Sequence, residues 1–354
     1  MSRLLSFPNW NTNPYSNLLY LEARADGWEP FGGVKYADLI ADLQKLRGGD
    51  VVHIQWTSPF GEHFSKSESY ETRIEKFKNT AEEAKRRGVR VIWTVHNILA
   101  HGTQNAREEI SLAEVLCELS DRIIILNPLT EAVAAPYYRI PSEKVVRIPH
   151  SSYKGVYSSA PSRAEVENVL GIPQGLTTFG VVGAVRAYKG TFTFLEAGRK
   201  AVLNHGGAGL ILAGETNPWL LRQIDKRLLH DFPFFRHHSK LSDQELALWM
   251  GACDVIVLPY DGILNSGSMH LAATYGIPVV LPALDHLVKQ FGGENWIEFF
   301  DPLAEGSQLV DSVSNAILKA SEERETRRRA ALSFAASYTP YDMTRDFSRL
   351  LASL

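Results

Sequence analysis

Residues 254–282, DVIVLPYDGILNSGSMHLAATYGIPVVLP, hold one complete strand–helix–strand unit. Asp254–Leu258 is a short β-branched run of the kind buried on both faces of a parallel sheet. It breaks at Pro259-Tyr260. After a loop, Asn265-Ser266-Gly267-Ser268 opens a helix that stops at Gly276, ahead of a second strand at Pro278–Leu281. Ser266 suits the N-cap, where a hydroxyl accepts from an unpaired backbone N–H, and Gly276 suits the left-handed position that ends a helix. A helix between two such strands is the crossover that a parallel pair requires. The glycine at the helix start bares N–H groups and the helix dipole adds positive potential, so this N-terminus suits an anion.

The same alternation runs along the whole chain. Strand candidates in the first half are Leu4–Phe7, Val51–Trp56, Val89–Val95, Arg122–Leu126 and Val145–Ile148, with helical spacing of apolar residues over Tyr36–Leu46 and Ser69–Arg87. The pattern restarts after Pro161–Pro173. Its strands there are Thr178–Val182, Gly209–Ala213, Asp254–Leu258, Pro278–Leu281 and Ile297–Phe300, separated by helices such as Phe192–Asn204 and Asp243–Cys253. Two consecutive units of this kind make an α/β, doubly wound protein. Its ligands are expected outside the carboxyl ends of the strands, facing the cleft between the domains. The last segment, Glu322–Leu354, opens with EERETRRR and continues helically, and the charge run reads as a solvated helix face.

Composition narrows the classes. A length of 354 residues suggests about two domains, and 45% hydrophobic with 22% charged residues is the mix of a folded protein, which excludes global disorder. A net charge of −3 gives no global electrostatic reason to bind nucleic acid. Cys117 and Cys253 build no disulfide framework and lack metal-ligand spacing, so they read as buried thiols. The N-terminus carries no signal-peptide pattern, and no stretch approaches the ~18 apolar residues of a membrane span. The expectation is a reduced, cytoplasmic protein, with peripheral membrane contact left open.

In the second half, the strand TTFGVVGAV (177–185) runs into Arg186-Ala-Tyr-Lys189-Gly190. Gly183 lets the backbone approach a ligand closely, Arg186 offers phosphate a bidentate fork, and Lys189 adds a point charge. Together with the Ser266–Ser268 helix start, these cations suit a diphosphate. The strand LILAG (210–214) ends in Glu215-Thr216, where a carboxylate can accept from a ribose or a base edge, or cap the turn. In the first half, Leu4–Phe7 is followed by the amide-rich Asn9-Trp-Asn11-Thr-Asn13-Pro-Tyr15, able to wrap a sugar or diphosphate edge or simply to stabilise a turn. The strand VVHIQW puts His53 and Trp56 near its end, and tryptophan serves as a platform for sugar faces as well as core material. The strand VRVIWTV ends in His96-Asn97, with His101 beyond it, and His150 ends another strand. A histidine at such a position can act as a base or as a donor to a sugar hydroxyl. Glu62, in the loop after Trp56, is the second candidate base.

These pieces resemble a GT-B glycosyltransferase over nearly the full chain. The Gly183–Gly190 run is similar to the diphosphate clamp of glycosyltransferase family 4, and Asn265–Pro278 to its donor-binding helix. The two glutamates of that retaining family correspond here to positions near Ile263 and Leu271, neither acidic, which argues against retaining chemistry of that type. A closer resemblance is to the β-mannosyltransferases of glycosyltransferase family 94, known from assembly of the xanthan repeat unit. It rests, in chain order, on Asn11-Thr-Asn13-Pro-Tyr15, the His53/Trp56 strand end, Thr94-Val-His96-Asn97 with His101, His150 with Tyr153, Arg186-Ala-Tyr-Lys189-Gly190, and Leu258-Pro-Tyr260 leading to Asn265-Ser266-Gly267.

The resemblance implies two facing Rossmann-like domains, 1–160 and 161–337, with a C-terminal helix in 338–354 crossing back to the first. It implies an inverting, metal-independent transferase with GDP-mannose as co-substrate, no further cofactor, and a glycan or polyprenyl-linked oligosaccharide as acceptor. The base is then His96 or Glu62. Gly183, Arg186, Lys189, Gly190 and Asn265, Ser266, Gly267 and Ser268 hold the leaving nucleoside diphosphate, flanked by Glu215 and Tyr260. Asn11, Asn13, Tyr15, His53, Trp56, Asn97, His101, His150 and Tyr153 shape the acceptor and sugar side. A lipid-linked acceptor brings the protein to the inner face of the membrane without spanning it, and the helix Ser69–Arg87, of mixed charge, is a candidate for docking there. Three other readings stay open: a retaining or UDP-sugar-dependent transferase on the same fold, a sugar-nucleotide epimerase, and a nucleotide-sugar-binding module without turnover.

Overall fold

The computed structural model describes residues 2–10, 12–62, 68–99, 103, 105–227 and 231–354. The chain divides into two compact units, Met1–His150 with Pro340–Leu354, and Ser151–Thr339. Each is a six-stranded sheet flanked by helices. The strands of the first unit are β1 (Arg3–Phe7), β2 (Glu29–Phe31), β3 (Val51–Ile54), β4 (Arg90–Val95), β5 (Arg122–Ile125) and β6 (Val145–Arg147), in the order β2-β1-β3-β4-β5-β6. Those of the second are β7 (Thr177–Val182), β8 (Ala208–Ala213), β9 (Phe234–His237), β10 (Val255–Val257), β11 (Val279–Pro282) and β12 (Ile297–Phe300), in the order β12-β11-β10-β7-β8-β9. Every neighbouring pair is parallel.

In both units the chain steps to one side of its first strand and then crosses to the other. The reversal falls between β1 and β3 in the first unit and between β7 and β10 in the second. Loops leaving the carboxyl ends of strands on either side of a reversal diverge and open a crevice, which is where sheets of this kind take ligands.

All ten expected strands are present. The two not expected, β2 and β9, are edge strands. Their sequences, EPF and FFRH, are only partly buried, so neither shows the continuous apolar run that marks a strand covered on both faces. In the second unit Val182, Ile211 and Ile256 belong to one apolar cluster, while Phe179, Leu210 and Val257 belong to another. Cys117 and Cys253 are buried.

The C-terminal segment is two helices, Arg324–Ser337 and Pro340–Ala352, separated at Tyr338-Thr339 where Pro340 forbids continuation. The charge run is not the wholly solvated face expected of it. Arg327 is buried and pairs with Glu298 at 2.6 Å, because one residue in three or four on any packed helix must face inward, and an arginine does so if its head finds a partner. The final helix completes the first unit. Thr344 Oγ1 accepts the Glu22 N–H at 2.7 Å, and the fully buried Phe347 lies against His53 and Tyr20 with ring centroids 5.2 and 5.3 Å away.

The helix Tyr70–Arg86 holds several of its cations within the unit. Lys78 pairs with Glu118 and Lys85 with Asp121, while Arg87, at its end, donates to the carbonyls of Leu43 and Leu46. Among the described residues no helix is long and apolar enough to cross a membrane.

Candidate functional site

In the second unit, β10, β7 and β8 are adjacent, so the loops after them leave side by side. Their contacts admit only glycine at two points. Gly190 has φ +71°, and a Cβ there would lie 1.8 Å from the Pro259 carbonyl oxygen. Gly214 has φ +143°, and its Cβ would meet the Gly183 carbonyl oxygen at 1.8 Å. The β7 loop is thus packed backbone to backbone on the ends of both neighbours.

The helix Gly267–Thr274 starts beside this arrangement. Ser266 caps it, its Oγ accepting the Met269 N–H at 3.1 Å, as its position in the sequence suggests. Tyr260 is buried close to Ser266 and Ser268. Burial pushes its phenol up, and hydrogen bonds to the two serines offset this in part.

Lys189 is half-buried, and burial pushes its ammonium below the ordinary range; the Tyr188 hydroxyl opposes this and the Arg186 guanidinium adds to it. An anion bound beside these two cations relieves their mutual repulsion. Arg186 donates to Glu215 Oε2 at 2.7 Å and, through Nη1, to the carbonyls of Val185 and Glu215 at 2.9 Å each. The Glu215 carboxylate, expected to flank a nucleoside, is therefore engaged in orienting Arg186. Glu215 is exposed and Arg186 half-buried at the surface, so the pair is worth little to stability and acts mainly to aim the guanidinium.

In the first unit the loops after β1, β3 and β4 are neighbours, and their residues form an aromatic cluster. Trp56 and His96 stack at 4.1 Å with an interplanar angle of 10°, and Trp10 tilts against Trp56 at 4.9 Å. Tyr15 sets its edge to His96 at 5.0 Å and lies 5.1 Å from His150. Burial, and then the nearness of His150 and His53, hold the His96 imidazole well below its ordinary value, so it is neutral at pH 7.

A hydrogen-bonded line runs from His96 into the core. His96 Nε2 meets Gln55 Oε1 at 2.8 Å, Gln55 Nε2 donates to the Tyr20 hydroxyl at 2.8 Å, and that hydroxyl meets His53 Nδ1 at 2.9 Å. His53 Nε2 in turn meets Thr94 Oγ1 at 2.7 Å.

The residues singled out in the sequence divide on this geometry. Trp56, His96, Tyr15 and His150 come together. Gly183, Arg186, Lys189 and Gly190 share the β7 loop, Tyr260 lies by Ser266 and Ser268 on either side of Gly267, and the two sets meet where Gly190 packs on Pro259. Asn97 directly follows His96. Asn265 immediately precedes the Ser266 cap. His53 does not reach a surface. It is fully buried inside β3, and since both faces of that strand are covered, its place near the strand end says nothing about access. Asn13 is the N-cap of the helix Pro14–Leu19, its Oδ1 accepting the Tyr15 N–H at 2.9 Å. Tyr153 belongs to the second unit, where its N–H donates to Thr274 Oγ1 at 2.9 Å, at the opposite end of that helix from Ser266. Glu62 is exposed, and its carbonyl accepts from the buried Arg73 at 2.6 Å. Asn11 and His101 lie outside the described residues. Trp10 and Gln55 were not singled out. Gln55 directly follows β3 and Trp10 lies three residues beyond β1, but only the strand order reveals that β1, β3 and β4 are neighbours.

The buried His53 makes stability pH-dependent. Burial pushes its imidazole down to about 3, whereas an unfolded histidine titrates near ~6.5. Below ~6.5 the unfolded chain takes up a proton that the folded chain refuses, so stability is fully present above that pH and falls toward pH 3. The expected slope is about 1.4 kcal/mol per pH unit for this group. Urea unfolding at pH 7.5 and 5.0 should show a smaller difference for His53→Gln than for the wild type; equal differences would remove His53 as a source.

No protein-family model matches the chain. Two curated relatives, both GDP-mannose:glycolipid 4-β-D-mannosyltransferases of Xanthomonas campestris, align with it. One is 25% identical over 302 residues, covering 83% of this chain and 77% of that one, and the other is 27% identical over 281 residues, covering 78% and 71%. Among solved structures, Anabaena HepE in complex with UDP-glucose superposes with a TM-score of 0.72 at 15% identity over the whole of both chains. WaaG, a glycosyltransferase involved in lipopolysaccharide biosynthesis, superposes with a TM-score of 0.64 at 13% identity, also over both whole chains. The structural likeness gives the chain the GT-B fold, and the curated relatives support glycosyl transfer as its activity.

Proposed function

We propose that the protein transfers mannose from GDP-mannose, with inversion to a β-linkage, onto a glycan or polyprenyl-linked oligosaccharide. The observation that carries this reading is His96, a neutral imidazole stacked on Trp56 at a strand end. It takes the proton of the acceptor hydroxyl as that oxygen bonds to the anomeric carbon. The bond from that carbon to the diphosphate breaks at the same time, and its electron pair leaves on the diphosphate. Trp56, Trp10 and Tyr15 offer apolar faces to the sugars.

In the second unit Lys189, Arg186 and the helix start at Ser266–Ser268 bind the diphosphate and stabilise its growing charge, a role worth ~3–4 kcal/mol for one well-placed donor. The choice of GDP-mannose and of a lipid-borne acceptor rests on the Xanthomonas relatives. Such an acceptor brings the protein to the cytoplasmic face of a membrane as a peripheral protein, with the sugar nucleotide as its sole co-substrate.

Calorimetric titration with GDP, UDP, ADP and TDP tests the donor site. Selective GDP binding supports the reading, and incubation with GDP-mannose and a polyprenyl-linked acceptor then gives a β-mannoside by NMR. Selective UDP binding replaces the donor with a UDP-sugar, and an α-linked product replaces inversion with retention. Lys189→Ala or Arg186→Ala is expected to weaken nucleoside diphosphate binding by ~1.5–3 kcal/mol, the usual worth of a charged hydrogen bond. Unchanged affinity in both variants removes the clamp.

A further inference from the structure

The polar line behind His96 runs through the interior of the first unit. Ser6, His53, Gln55 and Thr94 are at most 1% exposed and sit among apolar strands, where a wholly apolar set would pack without the cost of desolvating polar atoms. Every link of the line is 2.7–2.9 Å long, and it ends at the ring that stacks on Trp56.

We propose that Gln55 is a positioning residue: its carbonyl accepts the His96 Nε2–H, which fixes the tautomer and turn of the imidazole so that Nδ1 carries the lone pair that takes the acceptor proton. The proposal rests on reading His96 as the base. Gln55 is itself held twice. Its N–H donates to the Phe7 carbonyl at 2.6 Å, and its amide nitrogen donates to the Tyr20 hydroxyl. That hydroxyl is in turn placed by Ser6 at 3.0 Å and by His53. Among the described residues, titratable groups around the ring include Tyr15, His150 and, beyond Gln55, Tyr20 and His53. The group at Nε2 is a neutral amide, in a place where a carboxylate would stabilise the imidazolium more strongly.

An imidazole has two nitrogens, and stacking on Trp56 does not by itself decide which of them faces Gln55. A ring that spends half its time flipped presents N–H where a base is needed. The amide removes that alternative without charging the ring at rest.

Long-range proton–nitrogen NMR on the full chain with labelled histidine tests this without any substrate. His96 signals are assigned by their loss in His96→Asn. The wild type at pH 7.5 is expected to show a single Nε2–H tautomer for His96, and Gln55→Leu a mixture of the two. An Nδ1–H tautomer in the wild type overturns the proposal even if every variant misfolds. So does an unaltered single tautomer in Gln55→Leu.

Kinetics with GDP-mannose and acceptor add a second reading. Gln55→Leu is expected to lower kcat ~10²-fold with KM for the donor little changed. Gln55→Glu, which keeps the oxygen acceptor, is expected to retain the Nε2–H tautomer and to move the acidic limb of the kcat–pH profile upward, since a carboxylate favours imidazolium. A merely structural residue moves neither tautomer nor limb. Absence of turnover with every donor overturns the transferase reading and leaves the NMR result to decide the role of Gln55.

Discussion

Alanine at His96 is expected to lower turnover with GDP-mannose and acceptor by ~10²–10⁴-fold, the usual contribution of a positioned general base, and to leave GDP affinity within about twofold. The first part follows from the state of the ring. It is neutral at pH 7, held face to face with Trp56 and edge-on to Tyr15, and so it is competent to take a proton without first losing one. The second part follows from the folding of the chain into two units. Arg186, Lys189 and Ser266, the groups proposed to hold the diphosphate, belong to the second, while His96 belongs to the first. Initial rates at saturating donor, together with calorimetry of GDP, check both. Turnover within tenfold of the wild type would transfer the role to Glu62, and the variant Glu62→Gln would then be the inactive one.

The largest expected effect on stability is that of Gly190→Ala. Two costs add. A residue other than glycine at φ +71° loses about 1–2 kcal/mol to the clash between Cβ and its own carbonyl. The new Cβ also falls 1.8 Å from the Pro259 oxygen, and that atom is backbone, which cannot rotate away. Overpacking of this kind typically adds another ~1–3 kcal/mol, so the expected total is ~2–5 kcal/mol in urea unfolding. Gly183→Ala separates the two costs. Its φ is +110°, but nothing lies within 4 Å of the position its Cβ would take, so it carries only the conformational part. Similar unfolding midpoints for the two variants would mean that the β7 and β10 loops separate easily. Gly190→Ala is also expected to weaken GDP binding, because the loop that bears Arg186 and Lys189 must lift from Pro259.

The interior strands of both sheets are legible in the sequence, and the edge strands β2 and β9 are not. β3, β7 and β8 are buried along their whole length, and β4 from Val91 onward, so that their composition is rich in apolar residues. β2 and β9 have one neighbour each, and EPF or FFRH is as ordinary in a loop as in a strand. In the site, the features set by local backbone chemistry were legible: a serine before a helix, and a glycine where a strand turns into a loop. Features set by which strand lies beside which were not. His53 and Gln55 are two residues apart on β3 and its extension and equally buried, yet only Gln55 meets His96. Nothing in VVHIQW distinguishes them, because the difference is made by Phe347 against His53 and His96 against Gln55, which come from distant parts of the chain.

The contact of Phe347 with Tyr20 and His53 reverses the order in which this protein is finished. Synthesis proceeds from the amino end, and domains commonly fold as they emerge, at about 5–20 residues per second. The strands of the first unit are complete by residue 147, but the helix that closes over Tyr20 and His53 begins at Pro340, after the whole second unit has been made. Roughly 190 residues intervene, about 10–40 seconds on the ribosome at that rate. Through that interval the first unit has its sheet but not its seal, so the unit begun first is the last to be completed.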